Sequence, residues 1–130
     1  MTPPKLTIEE CMSPAPYSVE PGQAMSEALA IMREHQIRHL PVVDDGTLVG
    51  LVSIRELHLM ETLKDVDPEQ VAVAEAMTQD PYTVEVGTNL REVAINLGAR
   101  KYGSTVVMDG NKVVGMFTTV DAMRVLSNLL

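Results

Sequence analysis

The stretch LPVVDDGTLVGLVS at residues 40–53 has a near copy, TVVMDGNKVVGMFT, at residues 105–118. Each stretch consists of a short apolar run, a turn rich in Asp and Gly, and a second apolar run with one glycine inside it. Apolar runs rich in β-branched residues on both sides of such a turn are typical of a β-hairpin. The sequence therefore predicts two hairpins, whose strands are His39–Val43 with Leu48–Val52 and Thr105–Met108 with Val113–Phe117.

The two stretches belong to an internal repeat with a fixed offset of 65 residues. At this offset the segment PYSVE at residues 16–20 matches PYTVE at residues 81–85, and Gly50 matches Gly115. An offset that is held without gaps over such a length indicates two copies of one supersecondary unit.

The spacing of apolar residues predicts the rest of each copy. A stripe at i, i+3, i+4 and i+7, typical of an amphipathic helix, follows each PY(S/T)V strand and precedes each hairpin. A further helix follows each hairpin, so each copy reads β-α-β-β-α. Because one copy is too small to bury its own helices and sheet, we expect a single α+β domain over residues 1–130, with repeats at 6–63 and 71–130. The two stripes are Met25, Ala28, Leu29 and Met32, and Leu90, Val93, Ala94 and Leu97.

Composition and charge exclude several classes of function. The chain has 10 Lys and Arg against 18 Asp and Glu, a formal net charge of -8, which argues against nucleic acid as a partner. A single cysteine, Cys11, excludes an internal disulfide. We find neither a signal-peptide pattern at the start nor an apolar run of membrane-spanning length, so a cytoplasmic protein without a membrane partner is expected.

These motifs resemble the paired cystathionine-β-synthase (CBS) domain family, whose two-repeat unit is called a Bateman module. The likeness rests on CMSPAPYSVEPG with AMTQDPYTVEVG, on the two hairpin stretches, and on the T-x-x-D segment at residues 118–121. It covers essentially the whole chain, and the order of the motifs is its most specific feature. The resemblance implies a stand-alone module that binds AMP, ADP, ATP or S-adenosylmethionine in clefts between the repeats, and that forms a flat homodimer.

The resemblance also implies roles for individual residues. Asp121 would accept hydrogen bonds from the two ribose hydroxyls, while Thr118, with Thr119 beside it, would offer its hydroxyl to a phosphate. The basic pair Arg38 and His39 would meet phosphates as well. The polar edge of adenine would contact backbone near Ser18–Val19 or Thr83–Val84, and Ser53 and Glu56 are the first-repeat counterparts of Thr118 and Asp121.

A second interpretation of the same letters stays open. The pattern [ST]-x-x-[DE] is also a capping box, in which the hydroxyl caps a helix and the acid bonds back to the backbone. The copies differ as well, because Gly103–Ser104 stands where the first repeat has Arg38–His39, and Glu56 stands where the second has Asp121. One, two or no competent sites are compatible with this pattern. A pairing of Asp121 and Thr118 with the basic residues of the first repeat would give one competent and one degraded site.

Other residues carry weaker expectations. His35 and His39 lack an obvious further ligand, so metal binding is not expected. Cys11 aligns with Ala76 and is expected to be a buried structural thiol. Tyr17 and Tyr82 could be core residues or pocket walls, and core is the default expectation. Gly50 and Gly115 mark close backbone packing or a bulge, room for a ligand, or both.

We therefore expect a regulatory module that senses an adenosine-containing nucleotide and transmits binding through repeat or dimer packing. It would require no cofactor, and its output would go to a separate regulated protein or to another copy. The alternative is a structural dimerisation module without a ligand. No nucleophile with its base, and no paired acid and base, is evident, so an enzyme is not expected.

Overall fold

The computed structural model describes residues 6–63, 65–100 and 103–130. The chain forms two compact units. The central unit comprises residues 17–81, and the terminal unit comprises residues 6–16 together with 82–130. The expected repeat 71–130 includes residues 101 and 102, which lie outside the described residues.

The central unit contains three helices and a three-stranded antiparallel sheet in the order β2-β3-β4. Val19 adds a single parallel bridge to Val42, so the first PYSV segment makes one bridge rather than the expected strand. The hairpin is the predicted one, extended by a residue or two, with a bulge between Val42 and Val43. The elements are α2 (Met25–His35), β2 (His39–Asp44), β3 (Thr47–Ser53), α3 (Ile54–Glu61), α4 (Val73–Ala76) and β4 (Thr78–Gln79).

The terminal unit contains a four-stranded sheet in the order β1-β7-β6-β5. Its hairpin is antiparallel, whereas β5 runs parallel to β6, with Val84 opposite Val107. The elements are α1 (Ile8–Cys11), β1 (Ser13–Pro14), β5 (Thr83–Glu85), α5 (Leu90–Arg100), β6 (Ser104–Asp109), β7 (Lys112–Thr118) and α6 (Thr119–Leu129).

Each unit is completed by a short segment from the other repeat. The helix and strand at the start of the chain, α1 and β1, belong to the terminal unit, where β1 pairs with β7. The equivalent α4 and β4 belong to the central unit, where β4 pairs with β3. The two hairpins therefore each receive a partner strand that is distant in sequence.

The amphipathic helices form where the spacing predicts them. All four stripe residues of α2 are buried, whereas α5 buries only Val93 and Leu97. Ala94 is exposed, so its place in the predicted stripe is wrong. The buried face of α5 is narrower than the predicted stripe, because it centres on Val93 and Leu97. Asn89 precedes α5 and caps its first turn, because its Oδ1 accepts a hydrogen bond of 2.8 Å from the Arg91 N–H.

The two hairpin glycines mark close backbone packing. A Cβ atom at Gly115 would lie 2.9 Å from the Ser13 carbonyl oxygen and closer still to the Met12 sulfur. A Cβ atom at Gly50 would lie 3.0 Å from the Thr78 carbonyl oxygen. Glycine at these two positions therefore lets the backbones of β1 and β4 lie close beside β7 and β3, which is the close backbone packing that the sequence left open.

Tyr17 is not a core residue. It is 39% exposed, and its ring stacks on His35 with a centroid distance of 3.8 Å. Tyr82, by contrast, is half-buried and packs against the core of the terminal unit. The expectation of two core tyrosines is thus wrong for the first.

No helix among the described residues combines the length and apolarity that a membrane crossing needs.

Candidate functional site

The most buried acidic side chain lies at the start of helix α6. Thr118 is the N-cap residue, and its hydroxyl accepts the Asp121 N–H at 3.5 Å. In return, Asp121 Oδ2 accepts the Thr118 N–H at 3.0 Å. These reciprocal bonds form a capping box, and they fix the Asp121 carboxylate against the first turn of the helix, where it is 6% exposed.

Asp121 also binds groups outside its own box. Its Oδ1 accepts the Ser13 hydroxyl at 2.8 Å and a guanidinium N–H of Arg124 at 2.9 Å. Its Oδ2 accepts the Thr118 hydroxyl at 3.3 Å in addition to the N–H. A carboxylate accepts about four hydrogen bonds, so these four donors occupy it fully.

Arg124 and Ser13 connect this carboxylate to the first segment of the chain. The same Arg124 nitrogen that contacts Asp121 donates to the Cys11 carbonyl at 3.0 Å. Because Ser13 lies in β1, both interactions hold the α1–β1 segment onto the terminal unit.

The central unit has an equivalent arrangement with fewer donors. Ser53 caps α3, its hydroxyl accepting the Glu56 N–H at 3.1 Å, and Glu56 Oε1 accepts the Ser53 N–H at 3.1 Å. Glu56 Oε2 accepts the Thr78 hydroxyl at 2.9 Å. Thr78 matches Ser13 in the repeat. In each unit, therefore, the capping acid binds a hydroxyl of the short strand, β1 or β4, that comes from the other repeat. We call this contact the hydroxyl clasp, formed by Ser13 and Asp121 in the terminal unit and by Thr78 and Glu56 in the central unit.

Arg38 and His39 lie beside the central capping box. His39 pairs with Ser53 across the hairpin, and the Arg38 carbonyl accepts the Ile54 N–H at 2.8 Å. Burial lowers the pKa of His39, an effect that nearby Arg38 reinforces and Glu56 opposes. His39 is therefore mainly neutral at pH 7, and the exposed Arg38 is the cation that this position offers.

The terminal unit offers its cation differently. At the place of the basic pair, the Gly103 carbonyl accepts the Thr119 N–H at 3.3 Å, and Ser104 pairs with Thr118. Neither residue carries charge, and the cation beside Asp121 is Arg124, which comes from the helix rather than from the strand.

The residues expected to contact adenine lie beside the first hairpin strand of each unit, where Val19 bridges to Val42 and Val84 pairs with Val107. Ser18 is exposed and precedes Val19, whose N–H donates to the Pro41 carbonyl at 3.0 Å and whose carbonyl accepts the Val43 N–H at 2.8 Å. Thr83 and Val84 lie in β5. Because the N–H and the carbonyl of Val19 are both used in these bonds, we expect Ser18 rather than Val19 to contact the adenine edge.

The expected site residues fall into two sets. The terminal unit holds Thr83, Val84, Thr118, Thr119 and Asp121, and the central unit holds Ser18, Arg38, His39, Ser53 and Glu56. The expected pairing of Asp121 with Arg38 and His39 joins residues of different units, and it stays a prediction.

Sequence reasoning did not single out Ser13, Thr78 and Arg124. The repeat contained a signal for the first two, because Ser13 and Thr78 are hydroxyl residues at matched positions. Arg124 lies three residues after Asp121, a spacing at which opposite charges meet on a helix.

Cys11 is buried, as the sequence predicts. Burial raises the pKa of its thiol, and the neighbouring Glu10 adds to this effect. The thiol is therefore protonated at neutral pH and unsuited to nucleophilic attack. Within the described ranges, no three His, Cys, Asp or Glu side chains are grouped as a metal site.

The sequence model for the CBS domain matches residues 8–58 and 73–128. The chain belongs to the CBS domain family. Both the family and the α+β fold of two CBS repeats, which the sequence predicted, are thus confirmed.

Solved structures of CBS-domain pairs resemble the whole chain. The CBS domain pair of protein MJ0100, in complex with 5-methylthioadenosine and S-adenosyl-L-methionine, is 25% identical, with a TM-score of 0.86 over 98% of this chain and 100% of that one. CBSX2, a CBS-pair protein from Arabidopsis thaliana, in complex with AMP, is 28% identical, with a TM-score of 0.81 over 94% of this chain and 97% of that one.

Curated relatives include longer proteins. A homoserine O-acetyltransferase from Methanocorpusculum labreanum is 34% identical over 116 residues, which are 88% of this chain and 23% of that enzyme. The chain therefore spans about a quarter of that relative, and the likeness concerns its CBS repeats.

Proposed function

We propose that this chain is a regulatory CBS module that binds an adenosine-containing nucleotide of the AMP, ADP or ATP type, and that it is not an enzyme. The likeness to CBSX2 carries the proposal, because it spans 94% of this chain and that protein was solved with AMP. The MJ0100 pair supports it, since 5-methylthioadenosine and S-adenosyl-L-methionine also contain adenosine. Ribose and adenine are the chemistry that these ligands share.

Asp121 is the residue that we propose for the ribose. Two adjacent hydroxyls present two donors in one plane, and a carboxylate accepts both. The start of α6 adds a dipole that favours phosphate, and Thr118 and Thr119 would contribute hydroxyls there. Glu56 and Ser53 are the corresponding residues of the central unit.

Arg38 is the residue that we propose for phosphate charge in the central unit, because His39 beside it is mainly neutral at pH 7. Neutral His39 would act there as a hydrogen-bond partner. The backbone near Ser18 or near Thr83–Val84 would meet the adenine edge.

The test is calorimetric titration of nucleotide-free protein with AMP, ADP, ATP and S-adenosylmethionine. Asp121→Asn keeps the shape of the side chain and removes its charge, so affinity should fall about tenfold or more if Asp121 binds ribose. Asp109→Asn, which removes an acid from the hairpin turn of the same unit, should leave affinity unchanged. Glu56→Gln reports on the central unit in the same way.

Two results would contradict the proposal in different ways. An affinity that Asp121→Asn leaves unchanged and Glu56→Gln lowers would move the ribose site to the central unit. No heat with any of the four ligands would reject the nucleotide itself.

We propose that a second copy of the chain is one partner, and that a separate regulated protein in the cytoplasm is another. Helix α6 has an apolar face that the terminal unit leaves exposed, with Val120 at 72% and Met123 at 63%. Their spacing of three places them on one side of the helix, and Leu126, which is 47% exposed, extends this side. Light scattering after gel filtration should give a dimer, and Met123→Glu should give a monomer; a monomeric parent protein would exclude this partner.

A structural interaction module without a ligand is the second candidate. The full occupation of the Asp121 carboxylate by Ser13, Arg124 and Thr118 favours it, because this acid already has a structural role. A scaffold should keep the same size and melting temperature with and without nucleotide. A sensor should melt higher in saturating nucleotide, since a ligand that binds only the folded state stabilises it.

A further inference from the structure

At its start, the α1–β1 segment is held by the Ile8 N–H, which donates to the Thr88 carbonyl at 2.8 Å, and by the buried side chains of Ile8 and Cys11. Its other end, at β1, has few polar contacts. Strand β1 has two residues, Ser13 and Pro14, which lie opposite Met116 and Gly115. Pro14 has no N–H to donate, so the strand contributes little to the backbone ladder. Two side-chain bonds supplement it, from Ser13 to Asp121 at 2.8 Å and from Arg124 to the Cys11 carbonyl at 3.0 Å.

Both of these bonds depend on Asp121. Ser13 binds Oδ1 directly, and Arg124 is held by the same oxygen at 2.9 Å. Oδ1 therefore orders one hydroxyl and one guanidinium that in turn hold the segment. Its two neighbours on Oδ2 come from Thr118, the N-cap of the same helix, and have no part in holding the segment.

A ribose that binds Asp121 has to replace an existing donor. Two ribose hydroxyls need two acceptor positions, and the carboxylate has four, all of them occupied. The capping bonds on Oδ2 are local to the helix start and are lost only if the helix frays. The Ser13 hydroxyl is the neutral donor on Oδ1, and it comes from an exposed residue at the edge of the sheet, so its replacement costs least.

We propose that Ser13 is a positioning residue that competes with the ligand for Asp121, so that ribose binding opens the hydroxyl clasp of the terminal unit and loosens residues 8–14. The inference rests on the proposed function, since it assumes a ribose at Asp121. It adds a regulatory response at that site, because ribose binding would break the Ser13–Asp121 contact that anchors the α1–β1 segment.

The central unit supplies a matched control. Thr78 is bound to Glu56 at 2.9 Å, yet Leu59 stands at the position that corresponds to Arg124. Among the described residues, Glu56 accepts two donors where Asp121 accepts four. The two clasps are thus equivalent in position, and the Ser13 clasp is the one that shares an oxygen with a ribose bound at Asp121.

The first arm of the test needs no ligand. Hydrogen–deuterium exchange is measured on the full chain and on the Ser13→Ala and Thr78→Ala variants. Loss of one side-chain hydrogen bond should speed local opening roughly two- to tenfold, at residues 8–14 in Ser13→Ala and at residues 73–79 in Thr78→Ala. Unchanged exchange at residues 8–14 in Ser13→Ala would overturn the role of the clasp as an anchor.

The second arm adds AMP. Ser13→Ala should bind AMP roughly two- to tenfold more tightly, because the competitor is gone, whereas Thr62→Ala, which removes an exposed hydroxyl at the end of α3, should bind like the parent protein. Ser13→Thr, which keeps a hydroxyl, should restore the parent affinity. In the parent protein, AMP should speed exchange at residues 8–14.

The outcomes separate the two claims. AMP binding with equal or lower affinity in Ser13→Ala overturns the competition and leaves the nucleotide function standing. AMP binding that protects residues 8–14 from exchange overturns the loosening. Absence of AMP binding in the parent protein and in Ser13→Ala overturns the proposed function and this inference with it.

Discussion

Replacement of Gly115 by alanine should destabilise the protein, because the backbone of the neighbouring strand β1 lies very close to this glycine. The added Cβ would lie 2.9 Å from the Ser13 carbonyl oxygen, and contacts of this kind are ordinary only beyond 3.4 Å. The backbone of β1 would therefore have to move by about half an ångström, and the Met12 side chain would have to leave its place. Overpacking of this kind costs about 1–3 kcal/mol.

The entropy of the unfolded chain offsets part of this cost. Alanine restricts the unfolded chain more than glycine does, which contributes about 0.4–1 kcal/mol to stability where the native backbone permits it. The free energy of unfolding should thus fall by about 1–2 kcal/mol in Gly115→Ala. Since β1 pairs through two residues only, we expect the strand to yield rather than the hairpin.

Gly98 provides the control. It lies in helix α5, and a Cβ there would have no other atom within 4 Å. Gly98→Ala should therefore stabilise the protein by about 0.4–1 kcal/mol, opposite in sign to Gly115→Ala.

Urea unfolding followed by far-ultraviolet circular dichroism measures both changes, and hydrogen–deuterium exchange locates them. Exchange at residues 12–14 should rise in Gly115→Ala, and at residues 77–79 in Gly50→Ala. A Gly115→Ala protein as stable as the parent, or stabilised like Gly98→Ala, would refute close packing of β1 as the reason for the glycine.

Three further predictions concern single side chains. Because burial lowers the pKa of His39, the unfolded state binds more protons than the folded state as the pH falls toward and below about 6.5. The stability of the parent protein relative to His39→Gln should therefore drop between pH 7.5 and 5, by at most about 1.4 kcal/mol per pH unit. Urea unfolding at each pH measures this difference. A difference that is constant with pH would contradict this. The buried Cys11 thiol should react slowly with a disulfide reagent at neutral pH and rapidly in urea, and fast native reaction would contradict its burial. Ser53→Ala should cost about 0.5–2 kcal/mol through loss of the α3 cap, whereas Ser53→Asp should retain most of the stability, and equal losses in the two variants would argue against capping.

Much of the fold was predictable because its signals are local. The hairpins follow from apolar runs on either side of an Asp and Gly turn, and the helices from a period that eleven consecutive residues display. The expectation failed where a neighbour distant in sequence decides the environment. Ala94 has helical spacing but meets solvent, and Tyr17 stands in an apolar motif but stacks on His35 at the surface.

The candidate site was predictable in part. The T-x-x-D letters identified a helix start with an acid, and both interpretations of them depended on local spacing. The structure shows the capping box in both units, and the assignment of Asp121 to ribose stays a prediction. Arg38 and His39 lie beside the central box, their role toward phosphate stays a prediction, and only burial reveals that His39 is mainly neutral.

The sequence by itself determined the repeat, the two hairpins with a helix before and after each, and the family, because these follow from patterns within each copy. Only the tertiary structure decided that α1 and β1 complete the unit of the second repeat, and that Ser13 binds an acid 108 residues away. No local pattern encodes such a contact, since it depends on which hairpin edge the segment reaches once the chain has folded. The regulatory response that we propose at Asp121 depends on this contact, because a ribose there would compete with the protein's own Ser13 hydroxyl for the same oxygen.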